Sequence, residues 1–119
     1  FFYFIMLYRL LDIYNEWIKE KYGTDTHFVL KKEVLNGNIT KSMKTFRYSL
    51  WYVNKKTIIE INRFEHTITG ATSFKEEAAR ILLADQVTRR LMSLYSDSEF
   101  NNMMEGKFKG YESSESREL

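Results

Sequence analysis

The sequence predicts a small α+β domain of order α-β-β-β-α, an antiparallel three-stranded sheet with two helices packed on one face. Three observations carry this expectation. From His27 to Ala71, aromatic, β-branched and basic residues alternate with the period of two that a half-buried strand requires. The alternation breaks at Asn54-Lys55-Lys56, where a hairpin turn fits. A stretch with apolar residues at helical spacing stands on each side of this region.

The first helix is expected over Tyr8 to Lys21. Leu7, Leu10, Leu11, Tyr14, Trp17 and Ile18 make one apolar face, and Asp12, Glu16, Lys19 and Glu20 take the wet face. Gly23 sits where a helix-terminating residue with positive φ is expected. The eight residues before Arg9 are all apolar or aromatic, too short a run to span a bilayer and without the flanks of a secretory signal. They read as a first strand or first helical turn packed on the core.

Strand 1 is expected over His27 to Leu35, followed by the turn-forming pair Asn36-Gly37. Strand 2 spans Lys44 to Val53. Phe46, Tyr48, Leu50 and Tyr52 face one way, and Arg47, Ser49, Trp51 and Val53 the other. Strand 3 starts near Thr57 and runs toward Thr69, with Ile59 and Ile61 on one face and Ile58, Glu60, Asn62 and Phe64 on the other.

The second helix opens at Ser73-Phe74-Lys75-Glu76, a capping-box pattern in which Ser73 and Glu76 satisfy each other's backbone donors. Ala78, Ile81, Leu82, Val87, Leu91 and Leu94 form its expected apolar stripe. Residues 1–96 therefore read as one domain. Residues 97–119 read as a docking segment followed by a flexible acidic tail.

The chain has 119 residues, no cysteine and no proline. Structural disulfides, thiolate metal sites and cysteine nucleophiles are excluded. The lack of cysteine fits a reducing compartment, so a cytoplasmic, intracellular location is expected. The net charge of +2 conceals an uneven distribution. Residues 31–63 hold Lys31, Lys32, Lys41, Lys44, Arg47, Lys55, Lys56 and Arg63 against Glu33 and Glu60, a net charge of +6 that the acidic remainder largely offsets.

The element order, the long central hairpin and a last helix opened by Ser-x-Lys with alanines in its first turns resemble the double-stranded-RNA-binding domain over about Tyr8 to Tyr95. The resemblance implies recognition of RNA shape by helix 1, by the loop between strands 1 and 2, and by the start of the last helix. It points to Asn15, Glu16 and Lys19, to Lys41 and Lys44, and to Lys75 and Arg80. Three departures stand beside it. Glu76 and Glu77 occupy the start of the last helix where the family has lysines, the family's Gly-Pro-x-His loop is missing, and the hairpin is longer.

The candidate nucleic-acid-binding residues are thus Lys41, Lys44, Arg47, Lys55, Lys56, Lys75 and Arg80. Tyr48, Trp51 and Phe64 are interleaved as rings able to stack on bases. The alternative is a half-buried sheet whose rings are core and whose cations are solubilising. Phe100, Met103, Met104 and Phe108 are candidate partner-binding residues, because methionine and aromatic side chains make adaptable contacts. They equally fit a cover over one end of the core.

His27 and His66 have no acid/base partner at useful spacing, and Asp12 with Glu16 fits a solvated helix face. No phosphate-binding loop, dinucleotide fingerprint or nucleophile elbow occurs. No catalytic residue, metal or cofactor is expected. The leading expectation is a small non-catalytic nucleic-acid-binding module with double-stranded RNA favoured. The alternative is a protein-binding or inhibitory factor of phage or mobile-element type that blocks a host or cognate protein. An enzyme ranks third. No membrane partner is expected, and a homodimer is compatible with each reading.

Overall fold

The computed structural model describes residues 2–37, 42–55 and 57–104. The elements are α1 (Phe2–Tyr22), β1 (Thr26–Asn36), β2 (Lys44–Asn54), β3 (Thr57–Ile68), α2 (Ser73–Leu94) and α3 (Ser98–Met104). The strands form one antiparallel sheet in the order β1-β2-β3. Both long helices cover the same face, as expected. Leu7 and Ile18 of α1 and Leu83, Val87 and Leu91 of α2 share one buried cluster with Phe28, Phe46, Leu50, Tyr52, Ile59 and Ile61 of the sheet.

Helix α1 begins at Phe2 rather than Tyr8. The apolar run at the start is its first turns, because Phe4, Leu7, Leu11 and Ile18 continue one stripe at three- and four-residue spacing. The helix ends as the sequence suggests. Gly23 adopts a φ of 110° and its N–H donates to the Lys19 carbonyl at 2.9 Å. Asn15 then ties α1 to the sheet, its amide bonding both the N–H and the carbonyl of Phe28. This occupies part of the outer edge of β1.

Strand β2 lies between the other two, and residues 48–52 are buried on both faces. At the end of the hairpin, Asn54 Nδ2 donates to Thr26 Oγ1 at 2.9 Å and to the Tyr52 hydroxyl at 3.2 Å. These bonds satisfy polar atoms where α1, β1 and β2 converge.

Strand β3 departs from simple alternation. Leu50 pairs with Asn62 but Trp51 pairs with Glu60, so Ile61 has no partner and forms a bulge. Beyond it the phase is reversed. Asn62 accepts a hydrogen bond from Arg90 of α2, Phe64 packs on the core, and Ile68 is buried. Asn62 and Phe64 thus lie on the helix side with Ile59 and Ile61, contrary to the alternation expected from sequence.

Helix α2 is capped by Thr72, not Ser73. Thr72 is extended (φ −110°, ψ 163°) and its hydroxyl accepts from the Lys75 N–H at 3.2 Å. The buried face is Ala79, Leu83, Ala84, Val87, Leu91 and Leu94. Ala78 and Leu82, expected to face the core, are exposed. The N-terminal half of α2 carries apolar residues on two sides, and contact with the sheet selects the side that is buried.

The long helices run parallel. Near their C-termini the Tyr14 hydroxyl donates to the Met92 carbonyl at 3.4 Å, and the Trp17 and Tyr95 rings lie 5.3 Å apart. Near their N-termini Tyr3 shares a groove with Phe74 and Ala78. Among the described residues no helix is long and apolar enough to cross a membrane.

Helix α3 docks through Phe100, which is fully buried with its ring centroid 5.8 Å from Phe28 and 6.5 Å from Tyr52. Asp97 holds its start. One carboxylate oxygen accepts from the Phe100 N–H at 3.1 Å and the other from Arg90 at 2.8 Å. Burial pushes the Asp97 pKa up, but the hydrogen bonds from Arg90, Phe100 and Glu99 and the Arg90 charge outweigh it and hold the carboxyl below the usual aspartate range. A depressed carboxylate stabilises the fold above its unfolded pKa and loses that contribution as pH falls through the folded value. Asp97→Ala should therefore cost about 2 kcal/mol at pH 7 in urea denaturation, with Asp97→Asn costing less because the cap survives. The wild-type advantage over Asp97→Asn should shrink as pH falls below about 4.

Candidate binding surfaces

The basic residues singled out in the sequence do not form one surface. Lys44, Lys75 and Arg80 gather where the 42–44 segment meets the start of α2, a corner closed by the Ala71 N–H on the Ser42 carbonyl at 3.4 Å. Each has a local partner there. Lys44 donates to Glu76 at 3.3 Å, and Lys75 Nζ donates to the Thr69 carbonyl at 2.9 Å. Arg80 lies 3.9 Å from Glu76 and 3.7 Å from Glu77, with its guanidinium 5.4 Å from the centre of the Phe46 ring.

Arg47 lies on the opposite face of the sheet, in a cross-strand row with Glu33 and Glu65, at 3.9 Å and 2.8 Å from them. Lys55 is at the far end of the hairpin, 3.7 Å from Asp25. Lys41, Lys56 and Phe108 lie outside the described residues.

The rings expected to stack on bases are largely buried. Trp51 and Tyr48 belong to the protein interior, and Phe64 packs against the core. Burial raises the Tyr48 hydroxyl pKa, against the opposing Arg80 charge and with a smaller push from Glu77. Phe100 likewise belongs to the core and is not available to a partner. Met103 and Met104 have their backbone in α3, and their side chains lie outside the described part. Asn15 of α1 is held by β1, while Glu16 and Lys19 are exposed. His66 is half-buried opposite Phe46. Among the described residues no group of three His, Cys, Asp or Glu side chains is arranged to hold a metal ion.

A wide concavity lies on the outside of the helical layer. A groove of about 560 Å³ is lined by Tyr3 of α1 and by Phe74, Ala78, Ile81 and Leu82 of α2. Phe74 is 81% exposed, an unusual state for a phenylalanine, and Tyr3 and Leu82 are also open to solvent. Charge enters only at the rim, through Glu77, which lies 3.7 Å from Arg80, and Asp85, which lies 2.9 Å from Arg89. None of these residues was singled out from sequence as a site. The available signal was the pairing of Phe74 with the Ala78-Ile81-Leu82 stripe, read there as the buried face.

The chain matches no family model, no curated protein and no solved structure.

Lys55 illustrates a candidate whose role is local. Its φ of 48° places an L-residue in the left-handed region, and both it and its partner Asp25 are largely exposed. The exposed pair contributes little and the backbone conformation costs about 1 kcal/mol. Lys55→Gly should raise the unfolding free energy by about 0.5–1 kcal/mol in urea titration. A loss of stability would show that the ion pair outweighs the backbone strain.

Proposed function

We propose that this chain is a protein-binding module whose docking surface is the groove between α1 and α2. The observation that supports this reading is the exposed Phe74 ring beside Tyr3, Ala78 and Leu82 in one apolar depression. An aromatic anchor in a concave apolar patch with a polar rim has the composition of an interaction hot spot. The rim carboxylates Glu77 and Asp85 select the partner's chemistry: an amphipathic helix with apolar anchors and flanking lysine or arginine.

Fluorescence anisotropy with two labelled amphipathic helical peptides tests this, one built of leucine and lysine and one of leucine and glutamate. The lysine peptide should bind and the glutamate peptide should not. Phe74→Ala should weaken binding by about tenfold or more, and Ala78→Trp should block the groove. Binding indifferent to both substitutions would overturn the reading.

A second reading is carried by the corner where Lys44, Lys75 and Arg80 meet beside the start of α2. Double-stranded RNA bound there would compete with Glu76 and Glu77 for those cations. Under this reading, an RNA duplex of about 20 base pairs binds with steep salt dependence, and Glu76→Gln strengthens the binding. No binding at low salt, or no response to Glu76→Gln, would remove it.

A further inference from the structure

The sheet has two outer edges, and the chain treats them differently. On β1, the Asn15 side chain bonds the N–H and the carbonyl of Phe28. On β3, no described strand pairs with the outer side. Helix α2 packs on β2 as well as on β3, which keeps it inboard of this edge. An edge of this kind is a template for a further strand.

The Asn15 contact also fixes which backbone groups of β3 face outward. Phe28 points its N–H and C=O away from β2, so its antiparallel partner Tyr52 points its own toward β3. Alternation along β2 then directs Leu50, Tyr48 and Phe46 toward β3, where they meet Asn62, Phe64 and His66. Between these, Arg63 and Glu65 direct their N–H and C=O outward. The bulge at Ile61 limits this regular run on one side.

We infer that the partner of this edge is a second copy of the chain, joined antiparallel about a two-fold axis at Phe64. In that register Arg63 faces Glu65 of the second copy on both sides of the axis, and each such pair exchanges its outward backbone hydrogen bonds. Phe64 faces its equivalent on the helix side, and Asn62 faces His66 of the second copy. Asn62 holds Arg90 through Oδ1 and offers its amide N–H to that imidazole. Other registers fail. An axis at Arg63 or Glu65 opposes like charges, and an axis at His66 sets Arg63 against residue 69, beyond the end of β3. An axis between two residues opposes side chains from different faces. Charge selects a copy over an arbitrary strand. On the open face, the row Glu33, Arg47, Glu65 has one carboxylate in excess. The next row, Lys31, Ser49, Arg63, has one cation in excess once Glu60 is counted, which Arg63 holds at 3.0 Å. Pairing runs the acidic row of each copy into the basic row of the other, and a guanidinium has N–H groups for two carboxylates. The edge is a different surface from the α1–α2 groove.

Sedimentation equilibrium of the full chain over a concentration series tests this pairing. A reversible monomer–dimer equilibrium is expected. Arg63→Glu and Glu65→Arg should each weaken it by about tenfold or more, because each sets like charges across the axis. An equimolar mixture of the two variants sets opposite charges across it and should dimerise again, with one subunit of each kind. Both side chains are exposed, and far-UV circular dichroism confirms that each variant is folded. A chain that stays monomeric up to about 1 mM, a dimer that both reversals leave unchanged, or a mixture no more associated than its components would overturn the pairing. So would a dimer that Phe74→Ala abolishes, because its contact would lie in the groove.

Discussion

The bulge at Ile61 governs how the molecule closes. With strict alternation, Ile59 and Ile61 on the helix side would bring Arg63, Glu65 and Thr67 under α2 and turn Phe64 and Ile68 toward water. One unpaired residue resets the phase, so Phe64 and Ile68 join the core while Glu65 reaches Arg47 on the outer face. Burying Ile68 is worth about 1.5–3 kcal/mol and the partial burial of Phe64 adds a fraction of that, against about 1 kcal/mol for a disrupted pairing. The same shift puts Asn62 within reach of Arg90, which also holds Asp97. The bulge therefore connects β3, α2 and α3 through one guanidinium.

The two faces of β2 meet different demands. On the helix side, Phe46, Tyr48, Leu50 and Tyr52 lie within a continuous apolar core. On the other side none of the described helices is packed, yet Trp51 and Ser49 are as buried as core residues. Their cross-strand neighbours are long, Lys31 and Arg63 beside Ser49 and Glu60 beside Trp51, and such side chains can cover a surface with their stems while the charge stays near solvent. A sheet with one open face thereby acquires a polar but enclosed layer there.

The element order, the strand limits to within a residue or two, and the termination of α1 at Gly23 were legible in the sequence, because periodicity and positive-φ glycine are local signals. What was not legible depends on neighbours distant in the chain. The bulge leaves Ile59, Glu60 and Ile61 looking like ordinary alternation. The helix cap moved from Ser73 to Thr72 because two adjacent residues are chemically competent and the incoming chain chooses. The basic segment lost its apparent charge because Glu65, Glu76 and Asp25, all outside the 31–63 window, fold back onto Arg47, Lys44 and Lys55. The groove was hidden for the converse reason. Ala78 and Leu82 have helical spacing, and only the position of the sheet shows that they face outward.

The pairing of α1 with α2 also bears on the order of assembly. Each strand pairs with its neighbour in sequence, so the meander can form early from local encounters. The contact between Tyr14 and Met92 spans 78 residues, and α1 cannot find this support until nearly all of the described chain exists. During synthesis α1 can pack on β1 through Asn15 and Phe28, but its side facing α2 waits through the translation of three strands and most of a helix. The contact of Trp17 with Tyr95 waits for the end of α2 in the same way, so the seam between the two long helices closes after the sheet.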